Sequence, residues 1–299
     1  MREPVAIEIA ELRKTYDSMD ALRGLNLQVP TGSIFGFLGR NGAGKTTTIK
    51  VLMGMTRPTS GAARVFGLAC DAQDSSVSIR RRTGFVGEDK ELYDYMTVEE
   101  IIRFTATFYR RWRPDLETRY LKSFELPPHV KTKALSRGAR TKLALLLALC
   151  RSADLLVLDE PTAGLDPAVT EEVLQVLVSH VAGEEMTVFF SSHQIAEVDQ
   201  IADRIAIIDR GQTLVAGALD DLRENYRRIQ LVFGGDAPHA TFQSRGAGRV
   251  RRKGRVLTVL SSAGSDAILE EARRLQPVSV DVMPVTLKEI FLESVAVED

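Results

Sequence analysis

SIFGFLGRNGAGKTTTIKVLMG, residues 33–54, decides how the rest of the chain is read. It opens with a near-continuous apolar run from Ser33 to Leu38. Such a run lacks the alternation of a half-exposed strand and predicts one buried on both faces of a parallel sheet. The run enters the loop Gly39-Arg40-Asn41-Gly42-Ala43-Gly44-Lys45-Thr46, and a helix-forming segment, KTTTIKVLMG, leaves it. The spacing fits G-x-x-x-x-G-K-[ST] in the strand–loop–helix context that gives the pattern its meaning. Glycines let successive backbone N–H groups curl around phosphate oxygens, and the helix N-terminus adds a favourable dipole. Lys45 can reach the β- and γ-phosphates and the Thr46 hydroxyl can ligate Mg²⁺. Gly39 to Thr47 is therefore the expected binding segment for a nucleoside triphosphate.

The same buried-strand texture returns in LLVLD (155–159), TVFFSS (187–192) and RIAIID (204–209), with helical stretches between them. The fold class is therefore α/β, with a parallel core sheet. VAIEIAEL (Val5, Ile7, Ile9) and DALRGLNLQV (Leu25, Leu27, Val29) alternate apolar with polar instead, predicting an antiparallel flap at the start. MTVEEIIRFTATFY sets Thr97 and Glu100 at capping-box spacing, and Ile101, Ile102, Phe104 and Phe108 then recur at helical intervals. That helix belongs to an insert between Gly84 and about Gly138, and a helical subdomain is expected at about 90–150 inside a first domain, 1–220. Beyond Asp220, RIQLVF (228–233), RVLTVLS (255–261) and VSVDVM read as strands, while SDAILEEARRL and TLKEIFLESV read as helices. A second, small α/β domain is expected over 221–299.

Composition narrows the class. With 299 residues, 44% of them hydrophobic and 26% charged, the chain can form one large domain or two. Its formal net charge of −1 gives no whole-protein attraction to polyanions, and no nucleic-acid partner is expected. No run approaches the roughly 18 apolar residues of a membrane span. MREPVAIEIAELRK lacks the apolar core of a signal peptide, so service at a membrane would be that of a peripheral subunit. Cys70 and Cys150 are far apart and outside metal-ligand spacing. Cys150 ends an apolar helical run, which predicts a buried free thiol and a reducing, cytoplasmic setting.

Asp159 and Glu160 emerge at the carboxyl end of LLVLD, the edge at which such sheets bind ligands. Asp159 suits an outer Mg²⁺ partner, and Glu160 can orient or deprotonate an attacking water. LSRGA (Leu135 to Ala139) precedes the pair and GLD (Gly164 to Asp166) follows it. His193 stands in FFSSHQ after the next strand, and Tyr16 in LRKTY near the start. Taken singly, His193 reads as an ordinary strand-end histidine and Tyr16 as a core or rim aromatic. In this order and at these intervals, residues 5–220 resemble the ATP-binding subunits of ATP-binding-cassette (ABC) transporters. LSRGA looks like the signature motif usually written LSGGQ, and GLD like the D-loop. His193 looks like the switch histidine, and Tyr16 like the aromatic that stacks on adenine.

The resemblance implies a P-loop NTPase core of the ABC type: a parallel sheet, an N-terminal antiparallel β subdomain and a helical insert, followed here by the small C-terminal α/β domain. It implies an ATPase that converts ATP and water to ADP and phosphate, with Glu160, His193 and Lys45 at the chemistry and Mg²⁺ held by Thr46, Asp159 and Glu88. It further implies a head-to-tail homo- or heterodimer. Each ATP would lie between the Lys45 loop of one subunit and Ser136, Arg137, Gly138 and Asp166 of the other. A serine hydroxyl, backbone N–H groups and a helix N-terminus make physical sense there as a second anion clamp. The implied partner is a separately encoded integral membrane permease, with the subunit peripheral on the inner face of the cell membrane. The phosphate-loop segment and the closing PVTLKEIFLESV are similar to those of drug, antibiotic or lipid exporters, so export is expected. The alternative is a soluble ABC ATPase acting on translation or DNA. Against it stand the single cassette and the lack of a heptad tract.

Three positions depart from the family pattern. Glu88 stands where the Q-loop glutamine is usual; its carboxylate could bind Mg²⁺ or water, but it adds negative charge near triphosphate. Arg137 replaces a signature glycine, as a further cation, and Ala139 replaces the glutamine. In the tail, RGAGRVRRKGR (245–255) concentrates six cations. It reads as a solvated β-hairpin turning at Lys253-Gly254, with acidic lipid headgroups, a membrane partner or RNA as alternative contacts.

Overall fold

Two hydrophobic patterns give two kinds of strand. In the computed structural model, which describes residues 4–184, 186–262 and 265–295, the alternating N-terminal segments form β1 (Val5–Tyr16) and β2 (Met19–Pro30). They pair antiparallel, with Ile9 opposite Leu27. β3 (Ile34–Gly39) is buried at all six positions and feeds through the phosphate loop into α1 (Lys45–Leu52). β4 (Ser60–Val65) returns to β1, and β5 (Leu68–Ala69) completes a four-stranded sheet ordered β2-β1-β4-β5. α2 (Gln73–Arg82) leads to β6 (Thr83–Val86). Three helices then intervene: α3 (Val98–Ala106), α4 (Pro114–Ser123) and α5 (Arg137–Leu149). The chain continues with β7 (Leu155–Asp159), α6 (Pro167–Glu184), β8 (Thr187–Ser192), α7 (Ile195–Ile201), β9 (Arg204–Asp209) and β10 (Gln212–Ala218).

The second sheet has the order β10-β9-β3-β8-β7-β6, and β9, β3, β8, β7 and β6 run parallel. Parallel neighbours need crossover connections, which the intervening helices supply. Because β3 lies between β9 and β8, and β8 beside β7, the ends of β3, β7 and β8 emerge side by side. Leu38 is opposite Ser192, and Asp159 opposite Ser191. Phe189 anchors the core beneath that edge, its ring centroid 6.0 Å from Phe35 and 5.1 Å from Phe37. The same cluster includes Ile7, Leu27 and Val65 from the antiparallel sheet, so both sheets share one core.

The capping box of α3 forms as its spacing predicts: Thr97 N–H donates to Glu100 at 2.8 Å, and Glu100 N–H to Thr97 Oγ1 at 3.2 Å. Its apolar stripe divides, however. Ile101 and Ile102 are buried, whereas Phe104 and Phe108 face outward, and Phe108 lies beyond the helix end and is 66% exposed.

The chain divides into two compact units, Met1–Ala216 and Gly217–Asp299. The second contains α8 (Leu219–Asn225), β11 (Arg227–Val232), β12 (Ala247–Lys253), β13 (Val256–Ser261), α9 (Ser265–Arg274), β14 (Ser279–Pro284) and α10 (Leu287–Ser294). Its strands pair antiparallel in the order β12-β13-β11-β14. Ile268 and Ala272 of α9 pack on Ile229, Leu231, Leu257 and Val259. Lys253 pairs with Val256, so the hairpin loop is Gly254-Arg255, one position later than the expected Lys253-Gly254. Gly254 takes the left-handed conformation (φ 55°) that such a loop demands.

Cys70 and Cys150 are both free and buried. Burial pushes each thiol up to about 12 from an ordinary value of 9.0. The folded state thus holds protons that the unfolded chain releases at lower pH. The stability this confers is fully present below pH 9 and is lost as the pH climbs from there toward 12. A Cys70→Ala, Cys150→Ala double variant should therefore lose stability less steeply over that range in alkaline unfolding titrations.

Candidate active site

Gly44 sets the geometry of the phosphate loop. It adopts φ 107°, and a Cβ there would come within 2.8 Å of Leu22 Cδ2 and 2.9 Å of the Ala21 carbonyl oxygen. The chain turns directly into α1, whose first residue is Lys45. The lysine ammonium folds back over the loop and finds three acceptors: Gly39 O at 2.8 Å, Arg40 O at 3.2 Å and Glu160 Oε1 at 3.1 Å. All three protons of this buried ammonium are thereby matched. Gly211 N–H donates to Ala43 O, and Arg23 N–H to Gly211 O, each at 2.9 Å. These two bonds tie the loop to the β9–β10 turn and to β2.

Glu160 follows the last residue of β7 and takes a left-handed backbone conformation, φ 46°. A non-glycine residue there carries roughly 1–3 kcal/mol of strain and persists only where its surroundings hold it. They do so at both ends. Glu160 N–H donates to Ser191 Oγ at 3.0 Å, and the Ser191 hydroxyl donates to Asp159 Oδ1 at 2.7 Å. Glu160 O accepts from Lys90 Nζ at 3.0 Å and from Ala163 N–H at 3.2 Å. The second carboxylate oxygen, Oε2, is 2.8 Å from His193 Nδ1, and because a carboxylate only accepts, the imidazole is the donor. His193 sits in the short turn between β8 and α7, where Ser192 Oγ accepts from Gln194 N–H and donates to Glu197.

A groove of about 470 Å³ opens over these groups. The loop contributes Asn41, Gly42, Gly44, Lys45, Thr46 and Thr47, and Glu88, Glu160 and His193 stand opposite. Its rim at the β1–β2 end is Met19–Ala21 rather than Tyr16, whose ring is covered by the Lys14 ammonium 4.7 Å from its centroid. Thr46, Glu88 and Asp159 meet in an adjoining cavity of about 560 Å³. Among the described residues no cluster of three or more His, Cys, Asp or Glu could hold a metal by itself.

The signature residues lie apart from this groove. Ser136 caps α5 by accepting from Ala139 N–H at 3.2 Å, and Gly138 is in the first turn. The Arg137 guanidinium lies against Gly164, where a Cβ would come 2.4 Å from Nη1. Asp166 caps α6, its Oδ1 accepting from Ala168 N–H at 3.1 Å and Val169 N–H at 3.0 Å. Two contributors escape the sequence reading. Ser191 is hidden in an apolar strand run, and Lys90 sits in the charged stretch EDKE, which resembles solvated surface. Lys90 is instead only 6% exposed. Burial holds its ammonium below the usual lysine range, Arg137 adds to that effect, and Glu88, Asp159 and Glu160 oppose it.

The ABC transporter family model matches residues 22–163. The bacitracin transport ATP-binding protein BcrA of Bacillus licheniformis is 34% identical over 74% of this chain and 72% of its own length. The chain belongs to the ABC transporter family. The ABC transporter ATP-binding protein YtrB of Bacillus subtilis is 26% identical and spans 96% of this chain and 97% of its own. A solved ATP-binding subunit of an ABC transporter superposes with a TM-score of 0.66 at 28% identity, covering 73% of this chain and 92% of that one. As an ABC ATP-binding subunit, the chain binds and hydrolyses ATP and is of the kind that energises a membrane permease. Among its described residues no helix is long and apolar enough to cross a membrane.

Ser191 holds Glu160 N–H and Asp159 at once. Ser191→Ala should lower ATP turnover measurably and cost about 1–3 kcal/mol in denaturant unfolding, because it orphans a buried N–H.

Proposed function

We propose that this chain couples ATP hydrolysis to export through a separately encoded permease, as one half of a head-to-tail dimer of ATP-binding subunits. One observation carries the catalytic part: Glu160 is held at the end of β7 between the Lys45 ammonium and the His193 imidazole. Arriving phosphates replace Glu160, Gly39 O and Arg40 O as acceptors for Lys45, while the N–H groups from Gly39 to Thr47 wrap the β- and γ-phosphate oxygens. Glu160, relieved of its cation, takes the proton of the attacking water, and His193 keeps the carboxylate oriented.

Thr46, Glu88 and Asp159 supply a hydroxyl and two carboxylates in one cavity. That oxygen set fits Mg²⁺, which binds through one or two carboxylates together with substrate phosphates. Bound there, the ion would neutralise charge on the β- and γ-phosphates. Ser136, Arg137 and Gly138 at the start of α5, with Asp166 at the start of α6, would meet the γ-phosphate held by the other subunit, and Tyr16 would cover the adenine.

Export and a permease partner are supported by the bacitracin transport protein among the relatives. A surface suited to such a partner lies beside the site. The 560 Å³ cavity is lined by Leu92 and Thr105. Their sequence neighbours Tyr93 and Phe104 join Tyr95 and Phe108 in an exposed aromatic ladder with ring centroids 5.1–5.8 Å apart. Exposed aromatics grouped at a cleft mark interaction sites. In this reading residues 1–220 are the ATP-binding domain with its helical subdomain at about 90–150, and 221–299 are an accessory domain. The assembly sits on the inner face of the cell membrane.

Glu160→Gln should cut ATP turnover by about a hundredfold or more while retaining ATP binding. With ATP it should elute as a dimer in gel filtration; wild-type turnover in this variant would overturn the assigned role. A Phe104→Ser, Phe108→Ser double variant should hydrolyse ATP normally on its own yet recover less integral membrane protein from detergent-solubilised membranes. Recovery with ribosomes and no membrane protein would favour the translation alternative.

A further inference from the structure

Lys90 has no part in the catalytic set described above, yet among the described residues it is the one side chain outside the β7–β8 edge that grips the Glu160 backbone. A buried ammonium needs matched acceptors, and the hydrogen bond this one makes is to the Glu160 carbonyl at 3.0 Å. That carbonyl belongs to the residue with the left-handed backbone (φ 46°), whose N–H is fixed separately by Ser191. Ser191 reaches it from β8 and Lys90 from the loop that follows β6, while the Ala163 N–H shares the carbonyl at 3.2 Å. Only the second segment also forms a wall of the 560 Å³ cavity, to which Gly87 through Leu92 all contribute. The backbone orientation of Glu160, and hence the direction of its carboxylate, is therefore tied to the position of that loop.

We propose that Lys90 is a positioning residue for ATP hydrolysis: by holding the Glu160 carbonyl it keeps the carboxylate aimed at the attacking water. The inference rests on the assignment of Glu160 as the base. A lysine that merely fills space would affect stability; one that binds nucleotide would affect affinity. A lysine that aims Glu160 affects the rate at saturating ATP.

The test compares full-length wild type, Glu160→Gln, Lys90→Met and Lys90→Arg by steady-state ATP hydrolysis, equilibrium binding of ATP and thermal unfolding. Lys90→Met should lower kcat by about tenfold or more, since small misplacements of a reacting group carry penalties of that order. KM and the ATP dissociation constant should stay within about twofold, and Lys90→Arg, which retains a cationic donor, should recover part of kcat. If Lys90→Met does not fold, Lys90→Gln is read in its place against the same expectation. Wild-type kcat in the Lys90 variant alongside an inactive Glu160→Gln overturns this inference alone. Loss of ATP affinity in proportion to kcat also overturns it. Wild-type turnover in Glu160→Gln overturns the assignment of the base, and this inference with it.

Discussion

The ion pair between Lys45 and Glu160 is buried at both ends, and much of the surrounding architecture follows from the need to match it. A lone charge at that depth would be strongly unfavourable, and removing one partner of such a pair typically costs about 3–5 kcal/mol. The loop after β3 and the end of β7 must therefore meet, although β8 lies between these strands in the sheet. Parallel register brings all three strand ends to one edge, and Ser191 at the end of β8 bridges the gap through Asp159 and the Glu160 N–H. The pair is thus self-neutralised. In the proposed mechanism phosphate displaces Glu160 from Lys45, offering the ammonium a stronger acceptor in the same place. On that proposal, the exchange that binds substrate is also the one that releases the base.

Much of this was legible in the sequence, for identifiable reasons. Strands buried on both faces must be apolar at every position, so β3, β7, β8 and β9 stand out as unbroken runs, and the phosphate loop is marked by glycines whose conformation no other residue adopts easily. β4, β5 and β6 carry no such mark: SGAARV and TGFV are short and interrupted by glycine or arginine, and LA is only two residues long. The helix of α3 was evident from Thr97 and Glu100, but periodicity alone does not tell an aromatic that enters the core from one that waits for a partner. Phe104 and Phe108 proved to be of the second kind. Lys90 was hidden for a related reason, since a cation among three acids looks like solvated surface until the fold turns it inward.

The signature segment gives a different lesson. Ser136 and Asp166 are both engaged as helix caps within this chain, so each helix N-terminus is already ordered before any second subunit arrives. Arg137, which departs from the family pattern, rests its guanidinium on Gly164, a residue at φ 70°. A side chain at position 164 would be strained at that φ and would displace the Arg137 guanidinium.

The cations of β12 have a consequence of their own. β12 is the outer strand of its sheet, and an outer strand offers unpaired amides and carbonyls to any passing chain. Here Arg249, Arg251, Arg252 and Lys253 are exposed along it, and Glu293 of α10 accepts the Arg249 N–H. A second copy approaching this edge would meet like charge and an amide already in use. Those features disfavour strand-upon-strand stacking at this edge.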